Sequence, residues 1–172
     1  YKMGDFNSAL RYFEECADYF KNPDIYYLMG VCAMKLGFNP EKYFDKVLEL
    51  NPHHPDVNYF MGVEYMKKGD FYGARRYFLR AIGSGLSKEL LADAYYNLGI
   101  CYEHNSFNER FGEGYDWESA VDAFKRAISY RQDFFDAYYN LGYLYVQREM
   151  WHDALLIFEK SLPYAPQDKK KE

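Results

Sequence analysis

Four tyrosines stand where they could do recognition chemistry. Tyr27, Tyr59, Tyr96 and Tyr139 each follow an aspartate by three residues (Asp24, Asp56, Asp93 and Asp136), a spacing that puts ring and carboxylate on one helical face. A tyrosine offers wide contact area at low entropic cost together with a hydroxyl, which suits a docking surface. Beside two of them stand Asn97 and Asn140, whose amides donate and accept at once and so match the backbone of an extended chain. Phe60, Met66 and Tyr143 extend the same set.

Reaction chemistry has no comparable pattern. His53 and His54 are adjacent before Pro55, a spacing that cannot place both on one helix face, and His104 and His152 stand alone. All four read as exposed turn histidines. No His-Glu-x-x-His, Cys-x-x-Cys, glycine-rich phosphate loop or nucleophile elbow occurs, so no catalytic residue, metal ligand or cofactor is expected. A net charge of -5 argues against a nucleic-acid partner, because phosphate contacts need a basic face. The one basic run, Lys169, Lys170 and Lys171, lies in a tail. No apolar stretch approaches the roughly 20 residues that span a bilayer. Cys16, Cys32 and Cys101 are odd in number and fall within helical patterns, so they read as buried thiols, which fits a reducing compartment and favours a cytoplasmic setting.

The elements that position the tyrosines repeat along the chain. Residues 95–102 read Tyr-Tyr-Asn-Leu-Gly-Ile-Cys-Tyr and residues 138–145 read Tyr-Tyr-Asn-Leu-Gly-Tyr-Leu-Tyr, with looser copies at 26–33 and 58–65. Each later copy is followed by a small residue, an aromatic four on, and a small residue three further: Ala74, Phe78, Ala81; Ala120, Phe124, Ala127; Ala154, Phe158, Ser161. Tyr95, Leu98, Gly99 and Tyr102 share one helical face. A glycine within a helix costs roughly 1 kcal/mol relative to alanine, so its recurrence requires a close approach by a bulky ring on a neighbouring helix. Each unit is then two short antiparallel helices that stack on the next pair.

This pattern resembles the tetratricopeptide repeat family. Tyr138, Leu141, Gly142, Tyr145, Ala154, Phe158, Ser161 and Pro166 follow the family motif residue by residue. The resemblance implies an all-α fold, an α-solenoid of antiparallel helix pairs wound as a right-handed superhelix. It also implies a protein or peptide partner held on the concave side, which the first helices line. Asn97 and Asn140 stand where peptide-binding members use asparagine to hold ligand backbone. Replacing both with alanine is expected to weaken binding and leave the melting temperature nearly unchanged. Members that bind chaperone tails read a terminal carboxylate with lysine, arginine and asparagine. Here the stripe offers aspartates, so a basic or aromatic partner is expected in place of an acidic tail.

Residues 1–172 read as one array: a partial repeat with only its second helix at 1–21, repeats at 22–54, 55–86, 87–132 and 133–166, and a charged tail at 167–172. Gly4, Asp5 and Phe6 align with Gly69, Asp70 and Phe71, which is why the chain is read as opening inside a repeat. Pro40 takes an alanine slot, so the second helix of its repeat should begin late. From Gly99 to Ala120 the chain carries nine residues more than from Gly62 to Ala74, an insertion near 103–116. Insertions in such arrays form loops on one face, often the binding face; the plainer alternative is a longer helical hairpin whose rings pack on a neighbour. The four aspartates read as first-turn charges that offset unpaired amides by about 0.3–1 kcal/mol. No polar capping helix is evident after residue 151, which leaves self-association through the array ends as the alternative to a peptide groove.

Overall fold

The computed structural model describes residues 5–166, so the expectations for Tyr1 to Gly4 and for the tail with Lys169, Lys170 and Lys171 lie outside the described residues. Within them nine α-helices follow in order: α1 (Phe6–Tyr19), α2 (Pro23–Lys35), α3 (Glu41–Leu50), α4 (Pro55–Lys67), α5 (Phe71–Gly83), α6 (Lys88–Tyr102), α7 (Trp117–Tyr130), α8 (Phe135–Gln147) and α9 (Trp151–Ser161). A 3-10 turn, Leu162–Tyr164, closes the described chain. Each helix packs chiefly on its sequence neighbours, as in an all-helical array of antiparallel pairs.

Local chemistry sets the helix starts. Asp5, Asp70 and Asp116 accept hydrogen bonds from the amides of Ser8, Gly73 and Ser119 and so cap three second helices in the same way. Pro23 and Pro55 stand at the first position of α2 and α4, where a missing N–H is harmless. α3 begins only after Pro40 and is 10 residues long, against 13 in α5.

Packing centres on one ring per repeat. Phe44, Phe78 and Phe124 are fully buried, and each lies against a glycine of the helix before it. A Cβ at Gly62 would meet the Phe78 ring at 2.7 Å, one at Gly99 the Phe124 ring at 2.6 Å, and one at Gly142 the Phe158 ring at 2.5 Å. Gly30 meets Phe44 in the same manner. The core is therefore a chain of overlapping clusters: Phe78 with Leu98 and Ala123 joins α5, α6 and α7, and Phe124 with Leu141 and Ala154 joins α7, α8 and α9.

The last helix is different. Trp151, Leu155 and Leu162 are 63%, 57% and 63% exposed, whereas Val121, which holds in α7 the register of Leu155, is buried. The stripe that α8 covers on α7 is thus open on α9.

Candidate functional site

The tyrosine stripe becomes a set of bonds between repeats. The Tyr27 hydroxyl donates to Asp56 Oδ2 at 3.2 Å, tying α2 to α4. The Tyr59 hydroxyl meets the Asn97 side chain, tying α4 to α6, and the Asn140 amide donates to the Tyr96 hydroxyl at 3.3 Å, tying α6 to α8. Burial first, then the next repeat's aspartate (Asp56, Asp93 or Asp136), pushes the phenols of Tyr27, Tyr59 and Tyr96 above their ordinary pKa. These links join successive first helices along one side of the array, the side that the family resemblance makes the inner face.

The aspartates do more than offset helix ends. Asp56 accepts from Tyr27, and Asp93 pairs with Arg131 at 2.6 Å. Because α6 starts at Lys88, Asp93 lies in the second turn and not, as the spacing suggests, the first. The side-chain caps of α2 and α4 come from Asn22 and His54.

The remaining sequence-selected residues divide. Phe60 stacks on Phe44 at 5.8 Å and 11°, and Met66 packs against the Phe78 cluster, so both face the core as well as the inner surface. Tyr139 lies against Phe158 at 5.9 Å and is 51% exposed. Tyr143 meets Phe111 of the insertion at 5.7 Å. Leu28 and Met34, on the same stripe of α2 but outside the selected set, are 42% and 37% exposed, with Val31 half-buried between them, while Val63 of α4 packs against the Phe78 cluster. Each amide of the Asn97 and Asn140 pair is engaged across a repeat boundary, so the expectation of an unchanged melting temperature is revised. Asn140→Ala and Tyr96→Phe should each lower stability by about 0.5–1.5 kcal/mol. In a double-mutant cycle read by urea unfolding the pair should lose little more than either alone; full additivity would mean that the bond contributes nothing.

The insertion is neither a longer helix nor a slack loop. Asn105, nearly buried, organises it: its Oδ1 accepts from the amides of Phe107 and Glu109, and its Nδ2 donates to Glu109 Oε2 and to the Glu113 carbonyl. Outward contacts then fasten it to three repeats. His104 stacks on Phe71 at 3.6 Å and bonds the Ile100 carbonyl at 2.8 Å, Asn108 Oδ1 accepts from the Tyr72 amide at 3.1 Å, and Phe111 reaches Tyr143. The histidines thus depart from the exposed-turn reading: His54 caps α4 and His104 is packed, while His53 and His152 are exposed.

At the root of the insertion Glu103 is 0% exposed. Its Oε2 accepts from Arg110 Nε at 2.9 Å and from Nη2 at 2.9 Å, while Oε1 has no hydrogen-bond partner. Burial pushes its carboxyl above the usual carboxylate range, and Arg110 only partly pulls it back. A carboxyl whose pKa rises on folding stabilises the fold below its unfolded pKa, and that contribution is lost as pH climbs through the folded value. Glu103→Gln should therefore gain in melting temperature relative to the parent between pH 4 and pH 8. A melting difference that does not vary with pH would refute this.

Neither the histidines nor the cysteines assemble a reactive centre. Cys32 and Cys101 are buried and Cys16 is half-buried, all three are free thiols, and burial drives the Cys101 thiol up to about 12. Among the described residues no three His, Cys, Asp or Glu side chains come together in a metal-holding group. No helix among them is long and apolar enough to cross a membrane.

Comparison with known proteins agrees with this geometry. Family models described as tetratricopeptide repeat match residues 59–111, 93–131 and 137–170, and one described as TPR repeat matches 115–148. The human protein O-mannosyl-transferase TMTC3 is 29% identical over 151 residues, which is 84% of this chain and 15% of that protein. The chain thus spans a small part of that relative's length. The crystal structure of MamA superposes with a TM-score of 0.75 at 24% identity, covering 98% of this chain and 91% of that one. YrrB, described as a TPR protein with an unusual peptide-binding site, gives a TM-score of 0.75 at 21% identity, covering 96% and 81%.

Proposed function

Because the chain belongs to the tetratricopeptide repeat family, a fold of protein interaction modules, we propose that its inner face docks a segment of a partner protein. One observation carries the reading. Beyond the residues packed in the core, α2 still presents an apolar stripe, with Leu28 and Met34 partly exposed and Val31 half-buried between them. Packing within the array gives no reason for a second apolar face. Methionine adapts its shape to irregular guests, and the bonded tyrosines hold the stripe rigid beneath them. The peptide-binding description of YrrB adds support at the level of the fold.

Selection of random displayed peptides on the immobilised chain tests this, with each winner measured again on Leu28→Glu and Met34→Glu. Both positions are open enough to accept a charge without unfolding. The expected result is micromolar binding, about -8 kcal/mol, weakened at least tenfold by either substitution. An absence of enriched peptides, or binding indifferent to both changes, would sink the reading.

A second reading rests on the open stripe of α9. Trp151, Leu155 and Leu162 offer to another helix what Trp117, Val121 and Ile128 of α7 offer at the same register to α8. Self-association through this face predicts a concentration-dependent mass in sedimentation that Leu155→Glu abolishes.

A further inference from the structure

The insertion lies against α8, one of the first helices proposed to dock a partner. Phe111 lies on Tyr143 and packs against the same cluster as Tyr96, Ile100 and Val146, so its ring joins residues of α6 and α8. Arg110, one residue earlier, places its guanidinium on the buried Glu103 carboxylate. An acid at the floor and aromatic rings at the wall make a slot complementary to a cation followed by an aromatic. The chain's own Arg110 and Phe111 are that pair.

Two features mark this occupant as separable from the slot. Its internal bonds converge on Asn105, so those bonds can persist when the segment lifts off and the Arg110 and Phe111 bonds to Glu103 open. Its seat is also imperfect. Phe111 holds left-handed backbone at φ 55°, a region that bulky side chains avoid, and Glu103 Oε1 is buried without a partner. Tyr96 and His104 are the other titratable groups near Glu103 and Arg110, and neither bonds the empty oxygen.

We infer that the slot between α6 and α8 recognises an extended partner segment carrying arginine or lysine followed by an aromatic residue, and that residues 105–115 occupy it until such a segment displaces them. The inference rests on the inner face being the docking side. It names a different part of that face from the Leu28 and Met34 stripe.

Gly112→Ala supplies the test, because a Cβ at that position runs into the Asn105 amide and unseats the insertion without altering the slot. The probe is a labelled peptide of this chain's residues 108–115, followed by fluorescence anisotropy. Gly112→Ala should bind it at least tenfold more tightly than the parent chain. Binding should vanish when the peptide's arginine or phenylalanine becomes alanine, and when Tyr143→Ala is added to the protein. Should Gly112→Ala not fold, a variant with residues 105–115 exchanged for the Lys-Gly of the α4 to α5 turn reads the same slot. A folded variant that ignores the peptide, or a parent chain that binds it equally well, overturns the inference. Peptides selected on the Leu28 and Met34 stripe report separately, so loss of the slot leaves that outcome legible, and the reverse holds.

Discussion

Replacing Phe124 with alanine should lower the unfolding free energy by about 3–5 kcal/mol, the largest single loss expected in this array. The ring is fully buried, lies against Gly99 and within 5.8 Å of the Tyr96 ring, and belongs to the cluster that joins α7, α8 and α9. Its removal leaves a cavity that the backbones cannot close, because Gly99 has no side chain to swing into the gap. A repeat array is held by neighbour-to-neighbour interfaces, so the loss should appear first as faster hydrogen exchange in α6 to α8 and then as a lower urea midpoint. Phe158→Ala gives the internal comparison. That ring meets Gly142 in the same way but is only half-buried, so its loss should be clearly smaller. Equal losses would show that burial does not set the hierarchy.

The second large effect works in the opposite direction, by adding atoms. Gly99→Val forces methyl groups into space already held by the Phe124 ring, whose nearest carbon would lie 2.6 Å from the new Cβ. Overpacking of this kind costs about 1–3 kcal/mol. Gly99→Ala combined with Phe124→Leu should recover part of what Gly99→Ala loses alone, since the smaller partner yields the space. Gly83→Ala should carry the reverse sign. That residue ends α5 with nothing near its Cβ position, so alanine should stabilise by about 0.4–1 kcal/mol. Calorimetry on the four variants decides the matter. Were Gly99→Val as stable as the parent chain, the ring-on-glycine lock would not be what fixes the helix pair.

The inner-face residues show where side-chain reasoning stopped short. Asn97 and Asn140 were legible as amides on a first helix, but one amide faces the Tyr59 hydroxyl and the other the Tyr96 hydroxyl of the preceding repeat. Nothing in the spacing of one helix reveals that partner, since it lies 44 residues away for Asn140. The aspartates misled for a related reason. Asp93 reads as a first-turn charge until α6 is seen to begin at Lys88, and its partner Arg131 lies 38 residues on, at the far end of the same repeat.

Residue spacing alone was enough for the helix pairs, the glycine opposite each ring, the late start of α3 after Pro40 and the extra chain near 103–116. These follow from contacts within one repeat and recur at a fixed period, so periodicity records them. The folded arrangement of the repeats was needed to show that Tyr27, Tyr59 and Tyr96 bond forward to the next repeat, that Glu103 is buried beneath Arg110, and that Phe111 lies on Tyr143. Those contacts depend on how far each repeat is rotated against its neighbour and on the path of a segment that occurs once. Neither quantity has a period, and so neither leaves a trace in residue spacing.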